Sequence, residues 1–154
     1  MLNFAPEPAL AATELARVAA PGGIVAAYVW DYVDGMAMIR HFWEAATALD
    51  PDVAEQAGGR RFPLCRPEPL RDLLTGAGLT GVVVEAIAVP MTFRDFDDFW
   101  APFLGGQGAA PGYVSTLDDK RRTALRDLLR ERLPIAPDGS ISLPARAWAV
   151  RGTR

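Results

Sequence analysis

The chain predicts an α/β fold built on a parallel sheet, and three observations carry that prediction. A helix-period stretch from Pro8 to Ala20 leads through the turn Pro21-Gly22-Gly23 into a continuously apolar run, Ile24 to Trp30. Helix-like and strand-like patterns then follow one another to the C-terminus. Leu2-Asn3-Phe4 reads as the end of a strand, so the opening unit is strand–helix–strand with its first strand almost missing. One such unit does not complete a parallel sheet.

Each element has its own signal. Ala11, Leu15, Val18 and Ala19 fall on one helical face, which predicts a helix over 8–20 with those residues inward; Pro6 and Pro8 suit its first turn and Pro21 stops it. Ile24 to Trp30 carries no polar position, as expected of a central strand covered on both faces. Met36, Ile39, Phe42, Trp43, Ala46 and Leu49 form the stripe of a second helix, stopped by Asp50-Pro51. Residues 52–65 read as a loop. A third helix starts at Pro67 and buries Leu70, Leu73, Leu74 and Ala77; Gly78 supplies a left-handed end, and Leu79 folds back on Leu74. A strand follows over Val82 to Met91. Thr116 is the predicted cap of a helix that turns Leu125, Leu128, Leu129 and Leu133 inward, with Asp119 as its capping-box partner. Residues 134–139 turn the chain into a last strand, Ser140 to Val150.

Composition bounds the function. The chain has 154 residues, half of them hydrophobic, which suits a single domain over 1–154. With 16 basic and 19 acidic residues and a net charge of −3, it lacks the footprint of a nucleic-acid or anionic-lipid binder, so a small molecule or a protein is the expected partner. Cys65 is the sole cysteine and His41 the sole histidine, so neither an internal disulfide nor a metal-ligand spacing is present. No apolar run approaches the ~20 residues of a membrane span, and no signal peptide is recognisable. A cytoplasmic location is expected.

Several residues invite a functional reading. Trp30, Asp31 and Tyr32 end the strand over 24–30, at the edge where open α/β sheets bind ligands; they either line a pocket or close the core. Residues 94–115 form a candidate lid. Within it, Phe96, Phe99, Trp100 and Phe103 recur at helical spacing, which favours a helix packed inward on those four rings. Gly105 to Gly112, with Gln107 and Tyr113, reads as a surface connection or a loop over a site. His41 reads as a partly exposed helix residue and Cys65 as a small apolar filler. The charges between Asp118 and Arg132 sit at spacings that stabilise an exposed helix face.

The segment Leu15-Ala16-Arg17-Val18-Ala19-Ala20-Pro21-Gly22-Gly23 resembles the "R-V-L-(K/R)-P-G-G" wording that joins the fourth strand to the fifth in class I S-adenosylmethionine-dependent methyltransferases of the type 11 kind. Leu2 to Pro6 resembles the fourth-strand exit. The region before Val82 and the closing Ala145-Arg146-Ala147-Trp148-Ala149-Val150 resemble the sixth strand and the reversed seventh. The resemblance implies the C-terminal part of a partial Rossmann-like doubly wound sheet with a reversed final strand and helices on both faces. It also implies methyl transfer from S-adenosylmethionine to a small-molecule acceptor by in-line displacement, for which the protein mainly aligns the reactants. Asn3 and Phe4 would border the cofactor. Asn3, Phe4, Trp30, Tyr32, Arg94 and Trp100 would face the acceptor, with Asp31 the proton acceptor. The family's N-terminal glycine-rich loop and ribose-binding acid are not matched, so a fragment, or a chain completed by a partner carrying the missing strands, is expected. The alternative is a non-catalytic remnant that binds a ligand or a partner.

Overall fold

The computed structural model describes residues 2–55, 63–105 and 108–154, without the side chains of Asn3 and Glu55. Met1, Gly106, Gln107 and residues 56–62, the middle of the expected loop over 52–65, lie outside the described residues. The elements are α1 (Pro8–Val18), β1 (Ile24–Trp30), α2 (Ala37–Leu49), α3 (Pro67–Gly76), β2 (Thr80–Phe93), α4 (Phe96–Leu104), α5 (Ala109–Thr116), α6 (Asp119–Arg132) and β3 (Ile141–Thr153). They form two compact units. The first takes Met1–Met36, Gly59–Val89 and Arg146–Arg154; the second takes Ala37–Gly58 and Pro90–Ala145.

The fold is α/β. In the first unit the sheet order is β1-β3-β2. β3 runs antiparallel to β1, with Ile24 opposite Thr153 and Trp30 opposite Ala147. The Thr80 hydroxyl donates to the Thr153 carbonyl at 3.2 Å, so the start of β2 meets the end of β3 and that pair is antiparallel too. β1 and β2 therefore point the same way, with the last strand reversed between them.

One face of this sheet is covered. Ala16 of α1 and Leu70 and Leu74 of α3 are buried with Val25, Val29 and Val150. Burying Leu70 and Leu74 completely stabilises the unit by about 2–3 kcal/mol each relative to exposure. α3 opens with Pro67 in its first turn and ends as its sequence requires: Gly78 takes φ +83°, and the Leu79 N–H donates to the Leu74 carbonyl at 3.2 Å. The C-terminus of α1 is capped from a distance, because the Arg154 guanidinium donates to the Arg17 carbonyl at 2.9 Å and to that of Ala19.

Three expectations need correction here. Among the described residues β1 is an edge strand, and its side chains alternate between burial and exposure, with Ile24 65% and Tyr28 67% exposed. An apolar run states only that both faces tolerate burial, and nothing among the described residues covers the second one. Leu2–Phe4 is a 3-10 turn instead of a strand end. α1 turns Ala12 and Ala16 inward and leaves Leu15 and Val18 exposed, because small side chains let the helix approach the sheet closely.

The second unit closes on an aromatic core. Phe42 stacks on Phe103 with ring centroids 4.5 Å apart, and Phe99 contacts both Phe93 and Phe103. α4 buries Phe96, Phe99, Trp100 and Phe103, the four rings that its spacing selects. Its cap is reciprocal: Asp95 accepts from the Asp98 N–H at 2.8 Å, and Asp98 accepts from the Arg94 N–H at 3.0 Å. α6 starts at Asp119 with Asp118 as its cap, not at Thr116. Thr116 instead ends α5, where its hydroxyl donates to the Tyr113 carbonyl at 2.7 Å. Leu125, Leu129 and Leu133 point inward as expected. Among the described residues no helix is long and apolar enough to cross a membrane.

Candidate functional site

The chemistry-bearing residues of the first unit gather where β1 ends. Asp31 leaves the strand with its N–H donating to the Arg146 carbonyl at 3.0 Å, so the ladder to β3 continues one residue past the strand. The chain then turns, and the Gly35 N–H returns to the Asp31 carbonyl at 3.0 Å while the Arg146 N–H donates to the Gly35 carbonyl at 2.8 Å. Glycine is required at the crossing. A Cβ on Gly35 would stand 2.7 Å from the Asp31 Cβ and 2.8 Å from the Arg146 Cβ.

The Asp31 side chain is the one buried charged group among the described residues, and both its oxygens are engaged. Oδ1 accepts from the N–H groups of Val33 and Asp34 at 3.1 and 3.0 Å. Oδ2 accepts from Nε and Nη2 of Arg146 at 2.8 and 2.5 Å. Burial alone pushes the carboxyl up, but the Asp34 N–H, the Arg146 guanidinium and the Val33 N–H together outweigh it and hold the group below the usual carboxylate range. A carboxylate so held accepts a proton poorly. Its geometry suits the fixing of the β1 exit better than general-base work.

Around this pair stand Trp30 and Tyr32, both half-buried, and the Arg146 guanidinium lies 4.9 Å from the centre of the Trp148 ring. Burial raises the Tyr32 hydroxyl, with Cys65 adding to the rise. Cys65 is wholly buried, and burial pushes its thiol up against the lowering effect of the Tyr32 N–H, with Asp31 adding to the rise. The thiol is therefore protonated at neutral pH and unreactive, as its reading as a filler requires.

Phe4 is 64% exposed, and the side chain of Asn3 lies outside the described set. Arg94 belongs to the second unit, where its exposed guanidinium pairs with Asp98 at 3.3 Å; Trp100 is buried in that unit's core. His41 sits half-buried on α2, 3.9 Å from Glu44. Gly35 and Arg146 were not singled out from the sequence. The available signal was a charged residue in the apolar stretch from Leu143 to Val150, which demands a partner.

A second feature is a shallow hollow of about 230 Å³ on the uncovered face of the sheet, lined by Ala26, Tyr28, Val83, Glu85, Ile87, Ala149 and Arg151 among others. No group of three His, Cys, Asp or Glu residues that would hold a metal occurs among the described residues. Among the described residues the turn after β1 offers S-adenosylmethionine no glycine cradle. A cradle needs open space beside a glycine between a strand and a helix. Gly35 is the glycine in that position after β1, and Asp31 and Arg146 fill the space beside it.

No family model matches this chain, and no curated protein matches it. Among solved structures it is similar to one described as a "putative methyltransferase" from Bacillus halodurans C-125, at 13% identity and a TM-score of 0.47. The match covers 99% of this chain and 60% of that one. The chain thus spans less than two thirds of the length of the structure it resembles.

Proposed function

We propose that the chain is the C-terminal part of an S-adenosylmethionine-dependent methyltransferase domain. It contributes the acceptor side for a small molecule, with the cofactor held by residues outside those described. The observation that supports this reading is the reversed last strand, which the sequence resemblance implies for the end of such a sheet and which here lies between β1 and β2. In this reading Trp30 and Tyr32 supply the rim at the carboxyl end of β1, and Asp31 with Arg146 positions them. Phe4 and Asn3 border the rim from the 3-10 turn, whose Leu2 is buried with Val25 and Val29.

A second reading, a non-catalytic remnant that binds a partner, is favoured by the uncovered sheet face and by the absence of a cofactor cradle at Gly35. Calorimetric titration of S-adenosylhomocysteine into the purified chain, with circular dichroism alongside, separates the two. Binding with a dissociation constant below about 1 mM supports an enzyme that holds its cofactor through other residues. A folded chain that takes up no ligand supports the remnant.

A further inference from the structure

Because β3 runs against β1, it delivers a cation to the end of the sheet where β1 stops. Ala147 stands opposite Trp30, so Arg146 lies beside Asp31 at the carboxyl end of β1, the end at which open α/β sheets bind ligands. Resting on the reading that this chain supplies the acceptor side, we propose that Arg146 selects the acceptor by holding a carboxylate on the edge of its guanidinium that Asp31 leaves free.

Asp31 uses one edge of that guanidinium only. Nε and Nη2 both donate to Oδ2, at 2.8 and 2.5 Å, while Oδ1 is taken by the N–H groups of Val33 and Asp34. The remaining edge, Nη1 with the second hydrogen of Nη2, meets no acceptor among the described residues. Nor is it sealed in. The one buried side-chain nitrogen or oxygen without a partner among the described residues is Nε of Arg126, in the second unit, so Nη1 of Arg146 opens to water. The Arg146 side chain is 37% exposed against 3% for Asp31, which makes the acid the buried support and the base the exposed end.

The free edge is also held still. The Trp148 ring lies 4.9 Å from the guanidinium, and the backbone N–H and carbonyl of Arg146 are bonded to Gly35 and Asp31. A guanidinium fixed in this way has already lost side-chain freedom that binding would otherwise cost. Its two parallel N–H groups match the two oxygens of a carboxylate. A single base, with no second cation in its ion pair, suits a carboxylate monoanion better than a phosphate dianion. The half-buried rings of Tyr32 and Trp148 beside the pair suit a flat apolar body on the same molecule.

The test is an NMR titration of the nitrogen-labelled chain at neutral pH with sodium benzoate, and with benzamide as its uncharged isostere. The expected result is saturable shifts at the Nε–H of Arg146 and at the backbone N–H groups from Tyr32 to Gly35, with benzamide at least about tenfold weaker. Arg146→Gln and Arg146→Lys should each weaken benzoate by about tenfold or more, since neither presents a guanidinium fork. Circular dichroism shows whether these variants fold. If they do not, the benzoate-to-benzamide ratio and the position of the shifts in the native chain decide alone. Equal binding of the two probes, no saturable shift, shifts confined to other residues, or a folded Arg146→Gln chain that keeps its affinity overturns the proposal. The S-adenosylhomocysteine titration fails separately. A chain that binds that ligand without distinguishing the probes keeps the methyltransferase reading and loses the carboxylate site; the converse keeps the site and loses the cofactor.

Discussion

Helices α1 and α4 each carry a strong apolar pattern, and they use it in opposite ways. α4 turns its large rings, Phe96, Phe99, Trp100 and Phe103, into a core. α1 turns Ala12 and Ala16 inward and leaves Leu10 and Val18 65% and 62% exposed. The second unit therefore owns the partners of its large rings, whereas the first owns the partners of only some of its apolar residues. Periodicity reports which residues share a face. It does not report whether this chain carries what that face packs against.

The comparison breaks most visibly under deletion of a ring from the closed core. Phe103→Ala removes a fully enclosed side chain stacked on Phe42, and urea unfolding should show a loss of about 3–5 kcal/mol. A loss under 1 kcal/mol would show that the second unit is as incompletely packed as the first.

In the first unit the corresponding weak point is polar. Asp31→Ala leaves the N–H groups of Val33 and Asp34 and the Arg146 guanidinium without their acceptor. A loss of about 2–3 kcal/mol is expected, moderated because the Arg146 side chain reaches solvent. The pH dependence has a defined sign. Asp31 is more acidic in the folded chain than unfolded, so its contribution is full above the unfolded carboxyl pKa of about 4 and is lost as pH falls through the lower folded value. Urea midpoints measured between pH 2 and 5 should therefore fall less steeply with acid in Asp31→Asn than in the native chain. Parallel slopes would remove the argument.

Gly35→Ala comes next. Its methyl group would overlap Asp31 and Arg146, and a loss of about 1–3 kcal/mol should appear as a lowered melting temperature. The smallest effect is expected on the outer side of α1, where Leu10→Gln should change stability by less than about 0.5 kcal/mol. A larger loss there would mean that α1 is covered in solution.

Much of the fold was legible because local chemistry fixed it. Pro67 and Gly78 bound α3, and the rings of α4 point where their spacing sends them. The inward face of α1 was not legible, since four of its residues, Ala9, Ala11, Ala12 and Ala16, are alanines that fit either side, and the deciding factor is how closely the helix approaches the sheet. The edge position of β1 was hidden for a related reason: Ile24 and Tyr28 have the same composition whether covered or bare. At the β1 exit, Trp30, Asp31 and Tyr32 were recognisable as a group. Arg146 was not, because 115 residues separate it from Asp31 and only the reversed strand brings the two together.

The position of β3 sets the order in which the molecule can be assembled. It is the middle strand of the sheet among the described residues, and it follows both of its neighbours in sequence. Until it emerges, β1 and β2 lack the strand that each pairs with among the described residues. The sheet must therefore form after Arg146 to Arg154 have been synthesised, through contacts of long sequence separation, which slows folding and gives chaperones or other nascent chains time to bind first.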